Sequence, residues 1–373
     1  MEKLDSFEQE WARIEAQYKN RLGTDTLDDF NAAISKPGVD LVIFGAAQVG
    51  HNLARSLGES TSKLKAFCDN YKSGIDEEFQ VPIISPTQLF EKYPNAIVAI
   101  TASNVYGWID QIYEQVVTGG IPKERIFING ALQRYTLSDF KKYHYDGHKR
   151  AYNLMQDETS RRILIERITN YLFYSDMNFT PREEQYFDDT AIQLTDSEVL
   201  VDGGCFNGNT VLDFIKKTNG KYAHVYTFEP DDKNFGEAKE NLAPYDNIEI
   251  INKGLHSKTG VLKFTSGMGG GSHINLSGEN EIQVVSLDDV FEKESYIPTL
   301  IKMDVEGAEK EALIGAANII RKARPKFALC VYHKTEDVYE LPQLIMEYGG
   351  DYSFTLRHYT RAAFETVLYA IPK

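Results

Sequence analysis

Two acidic side chains and a run of glycines occur at a spacing that could hold a nucleoside. Residues 199–201 are apolar, and Asp202 follows them before a turn that contains three glycines. A second apolar stretch, 223–228, ends in Glu229. Glycines let the backbone approach a ligand closely, and a carboxylate at the next strand end can accept both ribose hydroxyls. The residues predicted to form this contact are Asp202, Gly203, Gly204, Phe206, Asn207, Gly208 and Glu229.

The turn lacks the G-x-G-x-x-G pattern, so no pyrophosphate cradle is evident. A single nucleoside with a short charged tail fits better, and S-adenosylmethionine is the cofactor that this chemistry indicates. Pro230 follows the ribose acid directly, and Lys253 and Gly254 come just after the third strand, where a contact with the adenine edge is expected. Asp304, at a later strand end, is predicted to serve both cofactor and acceptor.

A further reactive segment runs from Lys302 to Glu309. Alternation along a strand places Lys302, Asp304 and Glu306 on one side of it. Three ionisable residues that end a buried strand are costly unless they are paired or functional, so these three are predicted to be catalytic. A structural explanation also exists, because Lys302 can pair with Asp304 and Glu309 can favour the N-terminus of the next helix.

Two histidines stand at strand ends, where they could accept a proton from a hydroxyl nucleophile. His333 follows the apolar strand 327–332, and His358 ends the strand 352–358. An isolated histidine is usually structural or solvated, but placement at the carboxyl edge makes both of them predicted general bases. His273 ends a glycine-rich loop that either closes over an acceptor or has no catalytic role.

Strands and helices must position these groups, and their alternation predicts an α/β fold with a parallel sheet. In the C-terminal half the predicted strands are 198–202, 223–228, 247–252, 298–304, 326–332, 352–358 and 364–371. The last two are separated by a polar loop too short for a crossover helix and should form an antiparallel hairpin. A parallel sheet closed by such a hairpin is the class I methyltransferase plan rather than the dehydrogenase plan.

A smaller α/β unit precedes this one. The predicted divisions are a helical segment at 1–37, a Rossmann-like domain at 38–130, a helical connector and cap at 131–197, and the methyltransferase-like domain at 198–373. In the Rossmann-like domain, Gly45 and Gly50 with Asp69 could bind a nucleotide, and a ligand-free scaffold is the alternative.

Several motifs, in this order along the chain, resemble those of FkbM-type methyltransferases. They are Gln185-Tyr-Phe-Asp, Val201-Asp-Gly-Gly-Cys-Phe-Asn-Gly-Asn-Thr, Phe228-Glu-Pro-Asp, Ser286-Leu-Asp-Asp and Ile301-Lys-Met-Asp-Val-Glu-Gly-Ala-Glu309. The resemblance spans residues 180–373 and implies O-methylation by S-adenosylmethionine, often of sugars or of polyketide and glycan hydroxyls. The N-terminal unit more loosely resembles a Rossmann-like domain of sugar C-methyltransferases and acyltransferases, which assigns it no activity.

The carboxylates also raise the question of a metal ion. Asp304 and Glu306 offer the oxygen ligands that Mg²⁺ prefers. A further ligand would have to come from Asp288 or Asp289, which more readily start a helix, and Lys302 would compete by ion pairing. The sequence therefore predicts methyl transfer without a metal ion.

The formal net charge of −15 excludes most nucleic-acid binding, because such a surface repels phosphate backbones. The three cysteines lie far apart and form neither a disulfide framework nor a C-x-x-C pair. The chain begins without a secretory signal and has no run of 18 apolar residues, which predicts a cytoplasmic protein without membrane insertion.

These features predict an S-adenosylmethionine-dependent O-methyltransferase that acts on a hydroxyl of a sugar, glycan, nucleotide-sugar or related metabolite. Two alternatives stay open: an NAD(P)-dependent oxidoreductase acting through residues 38–130, and a non-catalytic role of that unit in binding the acceptor. The sequence fixes neither the acceptor nor the oligomeric state, and a homo-oligomer is compatible with it.

Overall fold

A computed structural model describes residues 5–20, 27–101, 108–128, 135–173, 185–265, 273–274, 280–360 and 364–373. The chain divides into two compact units. The first contains residues 1–145, 165–178 and 360–363, and the second contains residues 146–164, 179–359 and 364–373. The stretch predicted as a connector, 131–197, is therefore shared between the two units.

The first unit is built on a six-stranded sheet. Its elements are α1 (Phe7–Asn20), α2 (Leu27–Ser35), β1 (Leu41–Phe44), α3 (Gln48–Ser56), β2 (Leu64–Cys68), β3 (Gly74–Ile75), β4 (Pro82–Ile84), α4 (Pro86–Lys92), β5 (Ile97–Ile100), α5 (Trp108–Thr118), β6 (Ile126–Ile128) and α6 (Leu137–Tyr143). The strand order is β3-β4-β2-β1-β5-β6, and every neighbouring pair is parallel except β3 with β4. Val42 and Phe44 pack into one apolar layer and Leu41 and Ile43 into the other, so both faces of the sheet are buried.

The second unit contains a seven-stranded sheet. Helix α7 (Tyr145–Leu154) belongs to it apart from its first residue, and helix α8 (Glu158–Phe173) contributes residues to both units. The remaining elements are β7 (Val199–Gly203), α9 (Asn209–Lys217), β8 (His224–Phe228), α10 (Asp232–Leu242), β9 (Ile248–Ile251), β10 (Gly254–Leu255), β11 (Gly260–Thr265), β12 (His273–Ile274), β13 (Asn280–Val285), α11 (Leu287–Phe291), β14 (Leu300–Met303), α12 (Glu309–Ile314), α13 (Ala317–Ala323), β15 (Lys326–Cys330), α14 (Asp337–Gly349), β16 (Tyr352–His358) and β17 (Thr366–Pro372).

The order of these strands confirms the predicted fold class. The sheet runs β16-β17-β15-β14-β7-β8-β9. Strands β15, β14, β7, β8 and β9 are parallel, and β17 is antiparallel to both β15 and β16. The carboxyl ends of β7, β8, β14 and β15 consequently lie along one edge, where the predicted site residues follow them.

A separate four-stranded sheet, β10-β13-β11-β12, was not predicted. Its longest ladder joins β11 and β13 through five antiparallel pairs, and Leu262, Ile282 and Val284 pack together on it. Of the glycine-rich loop predicted at 266–273, residues 266–272 lie outside the described residues. The backbone of His273 pairs with Thr265 at the end of this sheet.

Side-chain caps fix the starts of two helices. Asp231 precedes α10 and accepts hydrogen bonds from the backbone N–H groups of Lys233 and Asn234. Ser85 and Gln88 form a capping box at the start of α4. No helix in the described part of the chain is both long enough and apolar enough to span a membrane.

Candidate active site

A glycine turn joins β7 to α9 and passes over the end of the neighbouring strand β14. Gly204 and Gly208 have φ angles of +75° and +87°, which favour glycine. A Cβ atom on Gly204 would lie 1.9 Å from the carbonyl oxygen of Asp304. Phe206 also has a positive φ, +52°, and its side chain is exposed. In the same turn, the carbonyl of Asn207 accepts a hydrogen bond from Asn241 at 2.9 Å.

Replacing Gly204 by alanine is expected to lower the free energy of unfolding by at least about 2 kcal/mol, because the methyl group would collide with backbone and the φ angle disfavours it. Gly236→Ala is the matched control. Gly236 lies in α10 with nothing within 4 Å of an added Cβ, so alanine there should stabilise by up to about 1 kcal/mol. Urea unfolding measures both, and an unchanged midpoint for Gly204→Ala would contradict the close approach.

Lys302 lies beneath this turn with only 1% of its side chain exposed. Its ammonium nitrogen lies 2.9 Å from Asp202 Oδ1 and donates a hydrogen bond of 2.8 Å to the carbonyl of Gly204. Burial opposes the charge, but the carboxylates of Asp202 and Asp304 outweigh it and raise the pKa of Lys302. A side chain so enclosed cannot touch a substrate. The prediction that Lys302 is catalytic is therefore corrected, and the residue holds the glycine turn against β14.

Glu229 follows β8 and faces the same turn. Its carboxylate accepts hydrogen bonds from the backbone N–H of Phe206 at 2.9 Å and of Asp231 at 3.0 Å. Burial raises the pKa of Glu229 to about 7; those N–H bonds act in the opposite direction, and the charge of Asp231 adds to the rise. Pro230 lies near Gly254 in β10, since a Cβ on Gly254 would be 3.7 Å from the proline Cβ. Most residues predicted to contact the cofactor thus follow the neighbouring strands β7, β8 and β9.

Four ionisable side chains meet after the ends of β14 and β15. His333 Nδ1 lies 2.9 Å from Glu309 Oε1, while Nε2 lies 3.3 Å from Glu306 Oε2 and 3.5 Å from Asp304 Oδ1. These are ion-pair distances, yet neither ring nitrogen has an aligned hydrogen-bond partner among the described residues. Three predicted catalytic residues are therefore close together, and Glu309 completes the group.

The charges in this group influence each other's protonation. Burial alone would lower the pKa of His333, but Glu306, Glu309 and Asp304 overcome it and raise the pKa to about 11. Conversely, burial opposes ionisation of Asp304, whereas Lys302 and His333 lower its pKa. A raised pKa favours the protonated ring, which argues against the general-base role predicted for His333.

A tight turn brings Glu309 behind Asp304. Glu306 and Gly307 have φ angles of +54° and +89°, and α12 starts two residues later. Glu309 is fully buried, and its Oε1 accepts a hydrogen bond from the backbone N–H of Val305 at 3.0 Å. A non-glycine residue at positive φ stores strain of about 1–3 kcal/mol and persists only where the surrounding structure holds it in place. The strain at Glu306 is therefore a further reason to consider a functional role for this turn.

Two tyrosines that the sequence analysis did not single out hold Asp304. Tyr186 donates to Oδ2 at 2.9 Å and Tyr332 donates to Oδ1 at 3.0 Å. Tyr186 belongs to the motif that starts at Gln185, and Tyr332 directly precedes His333. Both tyrosines lie in segments that the sequence had already indicated, but only the fold shows that they contact the same carboxylate.

His358 is not part of this group of contacts. It ends β16, and β17 and β15 stand between that strand and β14 in the sheet. The side chain is buried, and its Nδ1 lies 2.8 Å from the hydroxyl of Thr366 across the hairpin. The structure therefore does not bring His358 together with the other predicted catalytic residues, and its base role stays a prediction. Nothing in the described structure places the His273 side chain.

The carboxylates nominated as further metal ligands have other partners. Asp288 accepts hydrogen bonds from the backbone N–H groups of Asn318 and Ile319 at the start of α13. The Asp289 carboxylate accepts a hydrogen bond from the hydroxyl of Thr259, and the Asp289 backbone N–H donates one to the hydroxyl of Ser286. Neither contributes to the group around His333.

In the first unit, backbone N–H groups of nearby residues bind the carboxylate of Asp69. It accepts hydrogen bonds from the N–H groups of Ala46, Tyr71 and Lys72 at 2.9–3.1 Å. These bonds tie the glycine turn after β1 to the loop after β2. They give Asp69 a structural explanation that requires no nucleotide.

Comparison with known proteins agrees with the fold of the second unit. Residues 202–354 match the family model described as Methyltransferase FkbM domain. The 2-O-methyltransferase NoeI of Sinorhizobium fredii is 26% identical over 148 residues, which cover 34% of this chain and 60% of that protein. The Hexuronic acid methyltransferase AglP of Haloferax volcanii is 30% identical over 130 residues, covering 34% and 54% respectively. The chain thus spans less than two thirds of either relative.

A solved structure shares the fold over nearly the whole chain. The methyltransferase FkbM of Methylobacillus flagellatus has a TM-score of 0.78 and 23% sequence identity, with 98% of both chains covered. The family match includes the glycine turn, Glu229 and the group around His333, but it ends before His358.

Proposed function

We propose that this chain, which carries an FkbM methyltransferase domain at residues 202–354, transfers a methyl group from S-adenosylmethionine to a hydroxyl of a sugar or glycan. The observation that carries the proposal is the buried carboxylate of Glu229 beside the glycine turn. Two relatives support the acceptor class, because one is named for the 2-oxygen and the other for a hexuronic acid. Nucleotide-linked sugars belong to the same chemical class.

The residues at the glycine turn fit an adenosine-containing cofactor. Each oxygen of Glu229 accepts one backbone N–H, and a carboxylate oxygen has lone-pair capacity for a second hydrogen bond. The two ribose hydroxyls would use that capacity. The exposed ring of Phe206 would stand at the open side of the same turn.

When bound, S-adenosylmethionine supplies a methyl group on a positively charged sulfur, open to in-line displacement by an oxygen. The chain must therefore position a hydroxyl and accept its proton. Asp304, held by its two tyrosines, is suited to orient the hydroxyl. We assign the proton to Glu306, because its side chain is 29% exposed, the most open of the four, and can return the proton to water.

Cofactor binding is expected to weaken as the pH falls through about 7, the pKa of Glu229, because only the ionised carboxylate accepts both ribose hydroxyls. The Kd for S-adenosylhomocysteine should rise by up to about tenfold per pH unit below that value. Calorimetry from pH 5.5 to 8.5 measures it. Glu229→Gln should bind weakly and lose the pH dependence, whereas Glu240→Gln, an exposed change in α10, should behave like the wild type.

Glu229 should also make the folding stability depend on pH. A carboxyl with a raised pKa favours the folded state below its ordinary pKa of 4.5, and this contribution is lost as the pH rises through about 7. The wild type should therefore lose stability relative to Glu229→Gln as the pH rises from about 5 to about 8, and urea unfolding at both pH values measures the difference. Undiminished cofactor affinity in Glu229→Gln would refute the assignment of the ribose contact.

The acceptor can be sought directly. The purified protein would be incubated with methyl-labelled S-adenosylmethionine and a panel of nucleotide sugars, oligosaccharides and hydroxylated metabolites. Label incorporated into a carbohydrate and absent with Glu229→Gln supports the proposal. Label that appears only in non-carbohydrate hydroxyls would overturn the acceptor class.

A further inference from the structure

The group around His333 has the spacing of a metal-binding site. One carboxylate oxygen from Asp304, one from Glu309 and one ring nitrogen of His333 all lie within 4.8 Å of one another. Ligand atoms that surround a cation at about 2.1 Å are separated by about 3.0 Å when adjacent and about 4.2 Å when opposite. Small side-chain adjustments are therefore enough to bring the three atoms onto one ion.

Glu309 provides an independent sign of a missing partner. Its side chain is fully buried, and Oε2 has no hydrogen-bond partner among the described residues. A buried carboxylate oxygen without a partner is costly. The two nitrogens of His333 are also buried without aligned hydrogen bonds in the described structure. A cation bound here would give Glu309 and one ring nitrogen of His333 a partner.

The surrounding residues orient the ligands as metal sites require. Tyr186 and Tyr332 each donate a hydrogen bond to Asp304, and the backbone N–H of Val305 donates to Glu309. Such outer contacts fix the direction of ligand side chains and raise the affinity of the site. The strained turn at Glu306 keeps the two carboxylates close despite their separation by five positions.

We propose that Asp304, Glu309 and His333 bind one first-row divalent cation, with Mn²⁺ as the representative ion. Two carboxylates balance its charge, and an imidazole ligand favours a transition metal over Mg²⁺ or Ca²⁺. Coordination requires that the ring nitrogen bound to the cation carry no proton. This revises the expectation of metal-independent transfer, because the sequence offered only Asp288 or Asp289 as a further ligand, whereas the fold brings Glu309 and His333 to Asp304.

The consequence for catalysis rests on the proposed function. A cation here would stand beside Glu306 and would polarise an acceptor hydroxyl, which lowers its pKa. Binding itself does not depend on that function, so it is tested without cofactor or acceptor.

The test uses the full chain after removal of metals with a chelator, titrated with MnCl₂ alone. Free Mn²⁺ is followed by its electron paramagnetic resonance signal. We expect one Mn²⁺ per chain in the wild type, and at least about tenfold weaker binding in Glu309→Gln and in His333→Gln. Asp289→Asn and Glu306→Gln are the matched controls and should retain the ion.

Circular dichroism verifies that each variant is folded. If Glu309→Gln does not fold, the comparison of Mn²⁺ binding by the wild type and by His333→Gln decides the test. Weak extracellular cation sites have a Kd on the order of 1 mM. No binding by the wild type at MnCl₂ concentrations up to about 1 mM would therefore overturn the proposal. So would equal binding by the wild type and His333→Gln. Metal binding without any methyl transfer would instead leave this site in place and refute the proposed function.

Discussion

Glu306→Gln is expected to reduce kcat for methyl transfer by about 10²–10⁴-fold, the range over which a positioned general base acts. The amide keeps the size of the side chain but cannot accept a proton. The Kd for S-adenosylhomocysteine should stay unchanged, because Glu229 and the glycine turn are untouched. Single-turnover rates with the acceptor found in the screen would separate the chemical step from binding.

Glu311→Gln, in the following helix α12, removes a carboxylate of the same kind and should retain full activity. Mn²⁺ binding offers a second comparison, since Glu306→Gln should keep the ion that Glu309→Gln loses. A kcat for Glu306→Gln within about threefold of the wild type would show that another group removes the proton.

Lys302→Met is expected to lower the free energy of unfolding by about 3–5 kcal/mol, because it leaves the buried charge of Asp202 without its ammonium partner. Asp202 is completely buried, and its other contact is the hydroxyl of Thr227 at 3.4 Å. Urea unfolding at a fixed pH measures the loss. The glycine turn should loosen as well, with weaker binding of S-adenosylhomocysteine.

A double-mutant cycle provides the control. Lys302→Met combined with Asp202→Asn removes both charges, and more than half of the lost stability should return. The same return should not follow when Lys302→Met is combined with Asp288→Asn, since Asp288 caps α13 and does not contact Lys302. Wild-type stability of Lys302→Met alone would contradict the role of the pair.

The features that could be predicted from the sequence are those that depend on patterns within short segments of the chain. Apolar runs and intervening helices gave the parallel sheet, and the short loop before Thr366 gave the hairpin. Glu229 could be singled out because it ends the strand after the glycine turn. These inferences follow from periodicity and from the rule that ligands bind at the carboxyl ends of parallel strands.

The remaining features depend on how deeply a side chain is buried and on contacts with residues that are distant in the sequence. Alternation put Lys302 on the correct strand but could not show that its ammonium points under the turn. His358 also ends a strand, yet the sheet order places that strand at an edge. Glu309 and His333 are 24 positions apart, and a turn with positive φ at Glu306 was needed to bring the carboxylate to the ring.

The position of β7 in its sheet has a consequence for folding kinetics. Leu200 pairs with Leu300, 100 positions later, whereas the hairpin closes within the seven residues between His358 and Thr366. Closing a longer loop costs more entropy, so we expect the hairpin to form early and the pairing of β7 with β14 to form late. Because that late pairing brings Gly204 to Asp304, the proposed cofactor site exists only in the completed sheet. A bound cofactor should consequently slow global unfolding and leave the folding rate nearly unchanged.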